Sequence, residues 1–212
     1  MKTLWVEASP NGENSLSSAL AAEFIDAADP SATGDVERFN LWNSEFPQFG
    51  AEAATAKLAP MFGKDLTANQ VQIWQDIVDE VERVRRFDRI VISSPMWNWN
   101  VPYPLKAWID VIVQPRLSFS LDENGTHIGV LGNGKPVHLI LTRSSAYDGR
   151  SPELLDFQQP YLEYVFTMLG YTVDSLVFEP TTRWSDEARQ RFREKSLHRA
   201  REHGATITPT GN

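Results

Sequence analysis

Short apolar runs bounded by turn residues alternate along this chain with longer stretches whose apolar positions recur every third or fourth residue. Lys2 to Ala8 is such a run, and Ser-Pro-Asn-Gly follows it at once, which predicts a strand ending in a turn. From Ser17 to Ala28, Leu20, Phe24 and Ile25 share one helical face, and Asp29-Pro30 ends the helix. Asp35 to Leu41 sets Val36, Phe39 and Leu41 among polar residues, as a second strand does. Thr67-Ala-Asn-Gln70 has capping-box spacing. Behind it Val71, Trp74, Ile77, Val78, Val81 and Val84 recur at three and four, which predicts a helix over 68–86. Arg89 to Ser94 is a β-branched run expected to form a central parallel strand buried on both faces. Pro95 to Val101 reads as a loop, and Pro102 opens a helix carrying Leu105, Trp108, Ile109 and Ile112.

Residues 42–66 lack this regularity. They hold Trp42, Phe46, Phe49, Met61 and Phe62, two prolines and an alanine-rich centre. A structureless loop of that length is unusual in a compact domain, so a short helix is predicted near 51–59, in a segment that covers a site or meets a partner. From Phe119 to Lys135 two turn signals, Asp122-Glu-Asn-Gly125 and Gly132-Asn-Gly134, predict a small hairpin excursion, with Gly132 to Lys135 as a hairpin turn. Val137 to Thr142 is a further strand. Ser151-Pro-Glu begins helical material that Pro160 interrupts or restarts, ending at Gly170; Tyr171 to Phe178 is the last strand, and Ser185-Asp-Glu opens a final helix to about His203.

This order predicts an α/β fold with right-handed crossovers and helices on both faces of a parallel sheet. Five strands favour the flavodoxin-like order 2-1-3-4-5 over a six-stranded dinucleotide-binding sheet. No repeat, low-complexity tract or linker divides the 212 residues, so one domain over 1–212 is expected.

Charge and composition narrow the chemistry. A net charge of −8 repels a polyphosphate chain, and the basic stretch from Arg183 to Arg201 is interleaved with Asp186, Glu187 and Glu194, so no nucleic-acid partner is expected. There is no cysteine, which excludes disulfides, thiolate metal sites and a cysteine nucleophile. The four histidines show no metal-binding spacing; His198 and His203, on a charged helix, read as solvated, and no metal is expected. No apolar run reaches the ~20 residues of a membrane span and no signal segment is evident, so a cytoplasmic protein with no membrane partner is expected. Seven Trp, five Tyr and eleven Phe suit a planar ligand if part of them lies in loops.

In an open parallel sheet ligands sit beyond the C-terminal strand ends. That singles out three loops. Ser9 to Ser17 leads into a helix N-terminus, where free backbone N–H groups and the helix dipole suit a phosphate, with Ser9, Ser15 and Ser17 as neutral donors; a turn with an N-cap serine reads equally well. Pro95-Met-Trp-Asn-Trp-Asn-Val-Pro102 alternates aromatic and amide residues, offering a ring system apolar flanks and polar-edge donors, or else a core-packed aromatic turn. Thr142-Arg-Ser-Ser-Ala-Tyr-Asp-Gly149 contacts a ring carbonyl or merely caps strand and helix ends.

The stretch Ser93-Ser-Pro-Met-Trp-Asn-Trp-Asn-Val-Pro-Tyr-Pro-Leu-Lys-Ala-Trp-Ile-Asp110 resembles the P-M-Y-N-F-x-[IV]-P-x-x-L-K-x-[WYF]-[IF]-D signature of the FMN-dependent NADH:azoreductase and NAD(P)H:quinone oxidoreductase family. Similarity extends to Ser9…Ser15-x-Ser17, Phe119, Thr142-Arg143, Pro160-Tyr-Leu162 and Leu169-Gly170. The resemblance implies a flavodoxin-like homodimer with two FMN sites at its interface. It puts Ser9, Ser15, Leu16 and Ser17 on the phosphate, and Pro95, Met96, Trp97, Asn98 and Trp99 against the ring. Thr142, Arg143, Ser144 and Ser145 then line the pyrimidine end, and Trp97, Trp99, Phe119 and Tyr147 meet the small-molecule electron acceptor. NADH or NADPH is implied as co-substrate and a quinone or azo compound as acceptor; Arg143 and Arg116 stand as partners for a 2′-phosphate. No side chain is assigned as an essential acid or base, because the flavin carries the chemistry. Two departures imply a specialised acceptor or a divergent member: Trp97 and Trp99 replace the usual Tyr and Phe, and Ser144-Ser145 replaces a glycine pair. A flavodoxin-type electron carrier and a flavin-free binding or regulatory protein remain as alternatives.

Overall fold

The computed structural model describes residues 1–30, 34–147, 149, 155–182 and 185–207. Its elements run β1 (Lys2–Glu7), α1 (Leu16–Ala28), β2 (Asp35–Asn40), α2 (Ala51–Leu58), α3 (Ala68–Arg85), β3 (Arg89–Pro95), α4 (Tyr103–Ile112), β4 (Phe119–Leu121), β5 (His127–Gly129), β6 (Pro136–Thr142), α5 (Gln159–Met168), β7 (Thr172–Phe178) and α6 (Asp186–Thr206). Five strands pair in parallel in the order β2-β1-β3-β6-β7, which is the predicted 2-1-3-4-5 once the two short hairpin strands are set aside.

Strand alternation distributes the core between the two faces. On β1, Leu4 and Val6 point into a large cluster with Val81 and Val84 of α3, Trp108 of α4 and Phe166 of α5. Trp5, between them, points to the other face, where Leu20 and Phe24 of α1 meet Val91, Ile140 and Leu176, with Ala200 of α6 closing the layer. β3 is buried along nearly its whole length, as its β-branched run predicts, whereas β2 is a sheet edge and leaves Val36 exposed. Thr67 and Gln70 form the predicted reciprocal capping box at the start of α3, and the short helix α2 falls where the alanine-rich centre of 42–66 placed it.

Two expectations change. Gly132-Asn-Gly134 turns the chain back on itself, with Lys135 N–H donating to the Gly132 carbonyl at 3.0 Å, but it joins no pair of bonded strands and so is not a hairpin turn. It lies instead against the start of β7: a Cβ on Gly132 would come within 2.5 Å of the backbone of Gly170 and Tyr171, so the glycine serves close approach of two chains. The helical start expected at Ser151-Pro-Glu falls outside the described residues; α5 begins at Gln159, and Pro160 sits in its first turn, where a missing N–H costs nothing.

Candidate functional site

The three loops singled out by topology meet at the C-terminal end of the sheet. After β1, Ala8 N–H donates to the Ser93 carbonyl at 2.9 Å, which ties the first loop to β3. Ser9, Ser15 and Ser17 are all buried. Ser15 caps α1 by accepting from Ser18 N–H at 3.2 Å, and its Oγ lies 3.1 Å from that of Ser17. The hydroxyl of Ser18, in the same first turn, is buried without a hydrogen-bond partner. A helix N-terminus with free N–H groups, ringed by hydroxyls, suits an anion without any cationic side chain. Glu13 is exposed and stays out of the way. The fully buried carboxylate of Glu7, at the end of β1, is matched by Arg38, which donates from Nε and Nη2 at 3.0 and 2.9 Å, and by Asn40 Nδ2 at 2.9 Å. Hydrogen bonding to Glu7 pushes the Arg38 pKa up, and the guanidinium on Glu7 spares an incoming anion an unpaired negative neighbour.

After β3 the backbone makes a tight two-residue turn. Trp97 and Asn100 exchange both N–H···O bonds at 2.9 Å, and Asn98 and Trp99 between them have φ of 46° and 65°. Two successive left-handed residues define the primed turn that glycine usually fills. Asparagine tolerates this region; for tryptophan it is strained by roughly 1–2 kcal/mol. The strain is held from outside: Met96 N–H donates to the Thr142 carbonyl at 2.8 Å, and Phe157 N–H donates to the Trp99 carbonyl at 3.1 Å. Pro95 and Met96 are half-buried, while Trp97 and Trp99 are 37% and 54% exposed, so the indoles are presented and not packed away.

After β6, Thr142 and Arg143 are buried and Ser144 and Ser145 are exposed. Arg143 sends its guanidinium inward, to Asp156 Oδ2 at 2.8 Å, Gln158 Oε1 at 3.1 Å, Glu179 Oε2 at 3.1 Å and Gln159 Oε1 at 3.3 Å. The Tyr147 ring lies 5.6 Å from it. Gln158, fully buried, reaches on to the Ser94 carbonyl at 3.4 Å, so this network ties the end of β3 to the β6–α5 connection and the segment after β7. Positive φ at non-glycine residues, among those described, occurs at Asn98, Trp99, Arg116 and Asn133. Ser144 and Ser145 therefore carry no left-handed strain.

Residues 1–204 match the family described as having a flavodoxin-like fold. A relative named FMN-dependent NADH:quinone oxidoreductase, from Nitratidesulfovibrio vulgaris (strain DP4), is 36% identical over 201 residues, covering 93% of this chain and 95% of its own. The chain belongs to the flavodoxin-like family that contains these quinone oxidoreductases. Two solved structures share its fold: an azoreductase from Bacillus anthracis str. Sterne, with TM-score 0.83, 20% identity and coverage of 97% and 99% of the two chains, and an FMN-dependent NADH-azoreductase from Bacillus anthracis str. Ames Ancestor in complex with FMN, with TM-score 0.79, 22% identity and coverage of 95% and 98%.

Against the family pattern, Ser9, Ser15, Leu16, Ser17, Pro95 to Trp99 and Thr142 to Ser145 come together at one end of the sheet, with Tyr147 beside Arg143. Phe119 does not. It sits in the β4–β5 hairpin, which Arg85 pins at the far end of the sheet by donating to the Val130 and Leu117 carbonyls at 2.8 and 2.6 Å. There Phe119 and Arg116 line a cavity of about 790 Å³ with Leu58, Met61, Trp74 and Leu121. The Arg143 guanidinium is committed internally, which removes it as a 2′-phosphate partner. His203 is not simply solvated: its Nε2 lies 2.7 Å from Asp174 Oδ2, which His138 Nδ1 approaches at 3.1 Å from the buried side. Asp156, Gln158 and Glu179 were not legible as site residues, because each acts through Arg143, 13 to 36 residues away in sequence; Trp42 acts through Trp97, on another loop. Among the described residues no group of three or more His, Cys, Asp or Glu is placed to hold a metal ion.

Proposed function

We propose that this protein is an FMN-dependent oxidoreductase that takes electrons from NADH or NADPH and delivers them to a quinone or azo compound. The observation that carries the reading is the placement, at one end of the sheet, of an anion-ready helix N-terminus beside a strained turn that holds two indoles in the open. The relative from Nitratidesulfovibrio vulgaris supports the same activity.

The residues present fit the cofactor. Ser9, Ser15 and Ser17, with the N–H groups of Leu16 and Ser17, would hold the phosphate, and the unpartnered Ser18 hydroxyl shows that polar capacity remains there. Pro95, Met96, Trp97, Asn98 and Trp99 would flank the ring. Thr142, Ser144, Ser145 and the backbone of Arg143 would line its pyrimidine end. Bound flavin supplies the hydride and two-electron chemistry. The chain's own part is to orient the ring, shield it from water with the indoles and keep the supporting loops in register.

The working unit in this reading is one flavin-binding domain over 1–212, assembled as a cytoplasmic homodimer. Two observations support the dimer. Leu58, Met61 and Leu121 expose large apolar side chains around one cavity, the kind of grouped apolar surface that a partner covers. Phe119 lies far from the other acceptor-site residues of its own chain, so the partner's copy is the one that would reach them. Among the described residues no helix is long and apolar enough to cross a membrane. Titrating flavin-free protein with FMN tests the reading: equimolar binding with quenched flavin fluorescence is expected, in a species of dimer mass. Absence of binding would overturn it.

A further inference from the structure

The aromatic residues near the strained turn form a connected series. The Trp97 and Trp42 indoles pack with ring centroids 5.5 Å apart at 54°, and Trp42 meets the Tyr103 ring edge-on at 5.2 Å and 78°. Trp42 lies just beyond β2 and is fixed from two directions. Its backbone N–H donates to Asn40 Oδ1 at 2.9 Å, and its indole Nε1–H donates to the Ala8 carbonyl at 2.9 Å. Asn40 is itself anchored on the buried Glu7. A half-buried, doubly bonded indole thus stands behind the more exposed indole of Trp97, and its bond to Ala8 ties it to the point where β1 leads into the serine loop.

We propose that Trp42, braced edge-on by Tyr103, is a positioning residue that holds the Trp97 indole in place, so that Trp97 presents one fixed two-ring face at the site and favours flat acceptors of two fused rings over single-ring ones. This rests on the oxidoreductase reading above. The physical reason is twofold. Aromatic contact grows with shared flat area, so a second fused ring gains only where the face beneath it is as broad as the two rings of an indole and is held still. An indole already fixed by its neighbour loses little rotamer freedom when an acceptor arrives, whereas a free one loses it at every encounter. Ring breadth is therefore read by Trp42, which the family signature does not include, acting through Trp97, which it does.

The first test needs no flavin. Two indoles this close couple in the far-ultraviolet circular dichroism of the flavin-free protein, and W42F and W97F should each remove the same couplet, with the double variant removing no more. The second test compares kcat/KM for a naphthoquinone and a benzoquinone with matched substituents, in flavin-loaded wild type, W42L and W42F. W42L should lower the naphthoquinone-to-benzoquinone ratio about fivefold, the size of one aromatic contact, and the change should fall on the naphthoquinone KM and not on kcat. W42F, which keeps a ring, should restore most of the ratio. Y103L, at an exposed position, should lower the ratio in the same direction and serves if W42L does not fold. A couplet that survives loss of Trp42, or a ratio unchanged in W42L or Y103L, overturns the proposal. Wild-type protein that NADH does not reduce sinks the oxidoreductase reading and the selectivity together; normal reduction with an unchanged ratio sinks the selectivity alone.

Discussion

Replacing Arg143 by methionine keeps much of the side chain's length and deletes the charge that joins the β6–α5 connection to the segment after β7. The guanidinium is 2% exposed, and the two carboxylates that pair with it, Asp156 and Glu179, are each 17% exposed. Removing one member of a buried ion pair costs about 3–5 kcal/mol, chiefly because the stranded charges stay desolvated. Here the low end applies, roughly 3 kcal/mol. Asp156 keeps the N–H groups of Gln158 and Gln159 on its other oxygen, at 2.8 and 3.2 Å, and both carboxylates retain some access to water. The assay is urea unfolding of flavin-free protein, since bound flavin would add its own stabilisation to the wild type. R143M should lower the unfolding free energy by that amount, seen as a lower midpoint at an unchanged slope. Adding E179Q to R143M should recover part of the loss, because one stranded charge is then removed. A loss under about 1 kcal/mol, the scale of an exposed pair, or no recovery in the double variant, would refute the claim that this network bolts the site together.

Asn98 lies at φ 46°, so N98G keeps the turn while deleting the amide, and it should weaken FMN binding about fivefold, the worth of one hydrogen bond; N98L should also destabilise the flavin-free protein by about 1 kcal/mol, because leucine resists the left-handed region. Equal FMN affinity in wild type and N98G would remove Asn98 from the ring site. Hydrogen bonds from His138 and then His203 hold the Asp174 carboxyl down to about 2 from its usual 3.8, against burial, which pushes it up. A depressed carboxylate stabilises the fold above its unfolded pKa, and that contribution is lost as pH falls from about 4 toward 2. D174N should flatten the stability profile in that window, and parallel acid profiles for variant and wild type would contradict the assignment.

Much of the fold was readable because its signals are local. Thr67 and Gln70 cap α3 three residues apart, the β-branched run of β3 carries its own burial, and the proline and glycine boundaries delimit most helices. The signature from Pro95 to Asp110 likewise lies on a loop that the structure sets at the C-terminal end of the sheet. What stayed hidden depends on distant partners. Nothing in the sequence forces Trp99 into a left-handed conformation; it is held there by Phe157, and by Met96 bonding to Thr142. Arg143 read as a ligand contact because its acceptors lie 13 to 36 residues further along the chain. Trp42 sat in a segment without periodicity, so only packing could show that it backs Trp97. His203 looked solvated on a charged helix until β6 and β7 brought His138 and Asp174 to it.

The central claim is that the site at the C-terminal end of the sheet binds a flavin that nicotinamide reduces. Anaerobic titration of FMN-loaded protein with NADH, followed at the visible flavin band, tests it most directly. The account predicts that the band bleaches stoichiometrically and returns when a quinone is added. A band that persists with excess NADH and with excess NADPH would contradict it.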